Sequence, residues 1–477
     1  IDTGRYPRII MNHDAIGRHV GSMWDQSIVP TLHEYIRIPN KSPAFDRDWE
    51  TNGYMDDATK LLVKWVAQTG IKGLIHRVVR LEGRTPVILI DIPGERGNVL
   101  MYGHFDKQPE FEGWANGLGP WTPIEKDGRL YGRGGADDGY AIFASLAAIS
   151  ALQAQNLPHP RCLILIESCE ESGSYDLPSY IDHLHDEIGE PNLVICLDAE
   201  CGNYDQLWLT TSLRGTLGGT LNVEVLSEGV HSGAAGGIVP SSFRILRQLL
   251  DRIENAVSGE LLDFLQVPIT DDVRTQADRV VSTLGNTVLD RYPWSGNTRP
   301  TTTSLSELVV ANTWGSSMAA VGLAGAPDPS NAGNTLRPST AVKLVFRLPP
   351  SLDAEEAANR VKSVFEKDPP QGATVSFDLD TPQTGWHAKS LSPSLLASLD
   401  RSSKTFFGAP MMTMGTGGTI PFMKMLGDRF PACQFFVTGV LGPHSNAHGP
   451  NEFLHIDTGK RVTCCVAEVL ADQATMP

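Results

Sequence analysis

Four runs in the first two hundred residues are apolar at nearly every position rather than at alternate ones: Val87 to Ile92, Val99 to Tyr102, Cys162 to Ile166 and Leu193 to Leu197. Continuous apolar runs of strand length predict strands covered on both faces, the pattern of a parallel sheet. Helical spacing surrounds them. Residues 12–40 and 54–69 read as helices, the second with Ala58, Leu61, Leu62, Trp65 and Val66 on one stripe. The segment from Tyr140 to about Gln155 is apolar on almost all faces, which predicts a helix packed on every side. Strands alternating with helices predict an α/β layer with a largely parallel sheet.

The texture changes after Leu213. Leu217 to Leu226 alternates like a half-covered strand, and Val239 to Asn255 reads as an amphipathic helix. Thr340 to Leu348 repeats the strand pattern and Ala354 to Phe365 the helix pattern, which predicts a small α+β unit. The stretch 258–335 is rich in Gly, Ser, Thr and Pro and reads as loops or as an elaboration of that unit. From Trp386 the apolar rhythm returns, through Phe435-Phe436-Val437 to a last helix from Thr458 to Ala471. The expected organisation is a main domain in two parts, 1–213 and 386–477, with a second domain inserted at 214–385.

Composition narrows the class. The chain has 477 residues, 41% hydrophobic and 20% charged, ample for more than one core. A formal charge of -16 argues against nucleic acid as a partner. No run of 18 apolar residues occurs, so no membrane span is expected. Seven scattered cysteines without a CxxC pair predict free thiols and a cytoplasmic protein. The start Ile1-Asp2-Thr3-Gly4 has no signal-peptide pattern, although a processed N-terminus leaves export open.

Five polar clusters interrupt this pattern, nearly all directly after an apolar run. The first is His104 with Asp106 in "GHFDKQPE". Alone, such a pair is ordinarily a satisfied histidine beside a solvated aspartate; its alternative is a metal ligand with the carboxylate that orients it. The second, "GRGGADDG", has the outline of a phosphate-binding turn, but Asp137 occupies the sixth position and would repel a pyrophosphate. Asp137 suits a cation better, with Asp138 as a cap or first-turn acid of the next helix. The third, "ESCEESGS", places Glu167, Glu170 and Glu171 at a strand end, where a cation or a proton must intervene. Asp198 follows the run ending at Leu197, and "PHSNAHGPNE" carries His444 and His448. The fold would bring these clusters to one sheet edge. Mixed His, Asp and Glu donors suit zinc, with manganese or cobalt as alternatives. One carboxylate can bridge two such ions, which together activate water.

These motifs resemble those of the M20 metallopeptidases, the clan of carnosinase-like dipeptidases, glutamate carboxypeptidase, aminoacylase and succinyl-diaminopimelate desuccinylase. "YGHFDKQP", "YGRGGADD", "EESGS", "LDAE", "HSG", "GGTIP" and "AHGPNE" occur in the family's order, and the resemblance runs from about residue 20 to 470. Length and the large insertion look most like the carnosinase-like branch. The resemblance implies a metallohydrolase catalytic domain of mostly parallel sheet with an inserted α+β lid and dimerisation domain. It further implies two divalent ions, with His104 and Asp198 on one, Glu171 and His448 on the other, and Asp137 bridging. Asp106 would fix His104, and Glu170 would be the general base. His231 would complete an oxyanion hole from the other subunit of a homodimer. Arg347 would clamp a substrate carboxylate, aided by Asn334, Thr335, Gly417, Gly418 and Thr419.

The chain departs from the family at Lys107, which would tune substrate charge preference or point to solvent. Cys169 is expected buried and inert, and His444 is an extra histidine near the second ion. The reaction implied is hydrolysis of dipeptides or short peptides with a free C-terminal carboxylate. The same machinery would serve an N-acyl-amino-acid deacylase, and a non-catalytic binding member of the family is the third reading. No GxSxG elbow and no HExxH motif occurs, which argues against serine hydrolase and single-zinc protease chemistry.

Overall fold

The computed structural model describes residues 11–475; residues 1–10 and 476–477, part of the expected main domain, lie outside it. The four apolar runs are neighbours in one six-stranded sheet. Its order is Ile75–Val79, Val87–Ile92, Arg161–Glu167, Asn98–His104, Leu193–Cys196, Gln434–Val437. The last four run parallel, and the first two pair antiparallel at one side. Alternate residues of each run face opposite layers. Ile88, Ile90, Met101, Ile164 and Ile195 join one core, with the helices Tyr54–Gln68, Ala141–Ala154 and Ile456–Gln473. Leu89, Leu100, Leu163, Leu165 and Val194 join the other, with Leu177–His183 and Pro421–Arg429. Cover on both faces explains why the runs lack alternation. Helix Ala141–Ala154 is buried over nearly its whole circumference, as its all-round apolar sequence requires.

A separate four-stranded antiparallel sheet has the order Ser317–Ala324, Ser339–Leu348, Gly215–Glu224, Thr374–Leu379. Helices Ser242–Leu250 and Ala354–Glu366 cover one face and form a core of their own. Strand Ser339–Leu348 alternates between buried and half-buried along its full length, as expected of a sheet with one covered face. The chain leaves along Trp208–Leu213 and returns at Trp386, and Trp386 pairs with Leu213.

Of the two readings of 258–335, the elaboration holds: the stretch contains helices Asp271–Leu284, Thr287–Asp290 and Leu305–Thr313 and strand Ser317–Ala324, which joins the second sheet. One expectation is corrected. Lys107 does not point to solvent. It is fully buried, and its Nζ donates to the carbonyls of Tyr35 at 2.7 Å and Ile38 at 2.8 Å.

Candidate metal centre

Strand Asn98–His104 ends at the C-terminal edge of the parallel sheet, with Glu167 beside His104 in register. Asp198 comes two residues after the neighbouring strand Leu193–Cys196, and Glu170 and Glu171 three and four residues after Glu167. Asp137 sits in the turn Gly135–Gly139 that leads into helix Ala141–Ala154. The glycines before it serve a steric need: Gly134 has φ 79°, and a Cβ there would lie 2.6 Å from Cγ of Lys107.

The donors converge as two sets. Nε2 of His104 lies 3.3 Å from Oδ1 of Asp137 and 3.7 Å from Oδ2 of Asp198. Nε2 of His448 lies 3.0 Å from Oδ2 of Asp137 and 3.3 Å from Oε2 of Glu171. Each set, His104/Asp137/Asp198 and Asp137/Glu171/His448, offers donor atoms within 4.8 Å of one another. Asp137 therefore presents one oxygen to each set. Glu170 stands beside the first, with Oε2 3.9 Å from Nε2 of His104. Behind the ring, Nδ1 of His104 faces the main-chain oxygen of Asp106 at 3.2 Å and its Oδ1 at 3.4 Å. A proton on Nδ1 directed at Asp106 leaves the Nε2 lone pair facing the acids.

The electrostatics ask for a cation. Burial pushes Glu170 well above its usual range, with the charges of Asp198 and Glu171 adding to the effect. Burial and Asp137 raise Glu171 to about 8, and burial with Asp137 raises Asp198 to about 7. Although burial opposes it, the carboxylates of Glu171 and Asp137 lift His448 to about 10. Burial likewise opposes His104, which Asp106 and Asp137 hold well above its ordinary value. The same two imidazoles depress Asp137 against its burial. Among the described residues no lysine or arginine pairs with Asp137, Glu170, Glu171 or Asp198. Four carboxylates and two imidazoles without another cation fit a pair of divalent ions in chemistry and in number of donors.

The remaining expected residues fall in two places. Nη1 of Arg347 donates to Oγ1 of Thr419 at 2.9 Å, in the half-buried loop of Gly417 and Gly418. His231, Asn334 and Thr335 lie together in a two-stranded ribbon: His231 pairs with Thr335, and the N–H of Ser232 donates to the carbonyl of Asn334. All three are exposed, and Nδ1 of His231 accepts from Gly233 and Ala234 of its own turn. Among the described residues none of the three touches the two donor sets. His444 is exposed on the loop of His448. Cys169 is buried, and burial lifts its thiol above the ordinary range. Asp138 does not cap the following helix; its Oδ2 accepts the backbone N–H of His104 at 3.2 Å.

Several supporting residues escaped the sequence reading. Nε2 of Gln108 donates to Oε2 of Glu171 at 2.6 Å. Arg133 pairs with Glu452, both fully buried, and donates to the carbonyl of His448 at 3.1 Å. Glu452 also accepts the N–H of Gly134 at 2.8 Å, so one ion pair joins the Asp137 turn to the His448 loop. Arg133 lies within the quoted "GRGG" and Glu452 within "PHSNAHGPNE", but only their meeting reveals the role.

Comparison with known proteins identifies the family and the fold. The model of Peptidase family M20/M25/M40 matches residues 100–472. The chain is 24% identical over 422 residues to a cysteinylglycine-S-conjugate dipeptidase of Corynebacterium striatum, spanning 87% of this chain and 89% of that protein. It is 28% identical over 364 residues to the human Beta-Ala-His dipeptidase, covering 71% and 68%. In fold it is similar to the di-peptidase Dug1p from Saccharomyces cerevisiae, with TM-score 0.80, 20% identity and coverage of 98% of this chain and 100% of that one. Human carnosine dipeptidase 1 is similar at TM-score 0.77 and 21% identity, again covering 98% and 100%. The matched span opens four residues before His104 and closes beyond His448, taking in both donor sets, and the chain belongs to peptidase family M20/M25/M40.

Proposed function

We propose that this metallopeptidase is a dinuclear dipeptidase that hydrolyses dipeptides or short peptides with a free C-terminal carboxylate. The observation that carries the reading is Asp137, whose two oxygens face two separate donor sets. His104, Asp137 and Asp198 would hold one ion and Asp137, Glu171 and His448 the other, zinc first, with manganese or cobalt as alternatives. Two such ions polarise a carbonyl and lower the pKa of water. Asp106 keeps the His104 ring in place. Glu170 takes a proton from the attacking water and passes it to the leaving amine. Arg347, steadied by Thr419, fastens the free carboxylate with the N–H groups of Gly417 and Gly418.

His231, Asn334 and Thr335 serve the site of a second copy in a homodimer. Their exposure supports this, as does the open edge of strand Ser317–Ala324, where Val321 and Leu323 are each 60% exposed. The pairing of Leu213 with Trp386 supports a catalytic domain of 1–213 and 386–477 with a lid at 214–385. Seven unbonded cysteines support a reducing compartment such as the cytoplasm. Mass spectrometry of a panel of dipeptides, amidated dipeptides and N-acyl amino acids, with zinc or with chelator, tests the reading. Chelator-sensitive cleavage of free-carboxylate dipeptides is expected. Cleavage of N-acyl amino acids instead makes the chain a deacylase, and no cleavage with metal bound makes it a binding protein.

A further inference from the structure

Among the described residues two arginines are buried, Arg133 and Arg214. Arg133 has its carboxylate in Glu452. Arg214, 7% exposed, has none within salt-bridge distance among the described residues. A buried guanidinium without a counterion is costly. The cost here is heightened by a second cation: burial and the charge of Arg347 lower Arg214 to about 10. Arg347 also lacks a carboxylate partner among the described residues.

Arg214 is nevertheless held firmly along one edge. Its Nε donates to the carbonyl of Gly417 at 3.2 Å, and its Nη1 to the carbonyl of Gly315 and to Oγ of Ser317, each at 3.2 Å. Among the described residues Nη2 has no hydrogen-bond acceptor. Among the described residues Nδ2 of Asn312, an exposed side chain, is likewise without a partner, and a Cβ on Gly417 would lie 3.1 Å from both nitrogens and 3.2 Å from the main-chain oxygen of Asn312. Two uncommitted N–H groups thus converge where Gly417 has no side chain.

Arg214 and Asn312 both line a cavity of about 290 Å³. Val280, Leu284, Leu308, Val309 and Met414 form its apolar wall. Glu200 and Cys201, next to the metal-set residue Asp198, line it as well as Arg214 and Ser317. Oγ1 of Thr419 donates to the carbonyl of Arg214 at 2.6 Å while accepting from Arg347, and Ser317 lies opposite Arg347 in the sheet. Thr419 thus joins Arg214, in the cavity wall, to the Arg347 clamp.

Resting on the dipeptidase reading, we propose that Arg214 and Asn312 read a second carboxylate, carried by the side chain of the substrate's C-terminal residue, with the apolar wall covering its methylene stem. One guanidinium edge beside one amide suits a planar, singly charged group; a phosphate dianion would need more donors. Aspartyl or glutamyl C-terminal residues are the substrate class this selects. A site built to bond a polar group discriminates sharply against an analogue lacking it.

The experiment compares Ala-Glu with its isosteric amide Ala-Gln, reading the ratio of kcat/KM values. The ratio is its own control, because partial misfolding lowers both rates alike. The zinc-loaded protein is expected to prefer Ala-Glu by about tenfold or more. Arg214→Met should bring the ratio to near one. Gly417→Ala, which crowds Nη2 and the Asn312 amide while leaving the guanidinium present, should also reduce it. Equal rates in the unaltered protein, a preference that survives Arg214→Met, or an equal loss on both substrates each overturns the proposal; the last makes Arg214 a second clamp on the α-carboxylate. Titration calorimetry of zinc-loaded Glu170→Gln with both dipeptides reads the same ratio without turnover. If nothing is cleaved but Ala-Glu binds preferentially, this inference stands and the dipeptidase reading falls; equal binding removes the inference.

Discussion

Both carboxylate oxygens of Asp106 accept backbone N–H groups, Oδ1 from Glu170 at 3.2 Å and Oδ2 from Glu171 at 3.0 Å, while the residue also faces Nδ1 of His104. One side chain thus holds a candidate ligand, the candidate base and the loop of a second ligand. In Asp106→Asn the amide would confront one of those N–H groups, donor against donor. Zinc affinity is expected to fall about 10–100-fold, measured by competition with a chromogenic chelator; unchanged affinity would show that the orientation is set elsewhere. The sequence displayed His104, Asp137, Asp198 and the glutamate pair because each follows an apolar strand or opens a buried helix, so one-dimensional order predicts a shared edge. It did not display Lys107. A buried amine satisfied by two carbonyls and lying 3.8 Å from the Tyr35 ring is defined by its tertiary partners, and an isolated lysine carries no sign of them. Arg214 was missed for the same reason.

Between elements, the Arg133–Glu452 pair fastens the turn of Asp137 to the loop of His448, which come from opposite ends of the chain. Replacing Arg133 by Met leaves Glu452 buried without its partner. The expected cost is about 3–5 kcal/mol of stability, read by denaturant titration; a loss below about 1 kcal/mol, in the range of an exposed pair, would contradict the clamp. The strands of the large sheet were legible because burial on both faces writes a continuous apolar run. Helix Asp271–Leu284 was not read, although Thr270 caps it, Asp271 and Asp272 occupy its first turn and Val273, Ala277 and Val280 repeat at helical spacing. Its loop-like surroundings masked those signals. Strand Ser317–Ala324 had less to offer: seven of its eight residues are exposed on the sheet edge, so no alternation marks it.

At the scale of the molecule, a chain that leaves at Leu213 and returns to pair with it at Trp386 carries a second sheet with an unpaired edge. The homodimer proposed here makes His231 and Glu170 of different copies partners in one site. His231→Ala and Glu170→Gln proteins should each be nearly inactive, with losses of about 10²–10⁴-fold for Glu170→Gln. Mixing them under subunit exchange should restore a fraction of the activity; no recovery after verified exchange would place His231 outside the partner's site. The central claim remains the paired ions on Asp137. Its most direct test is to strip the protein with chelator and add zinc stepwise, following bound metal and dipeptide hydrolysis together. Hydrolysis that reaches its plateau only when two ions are bound per chain is the predicted result. Full activity with one ion bound, or in the presence of excess chelator, would contradict the account.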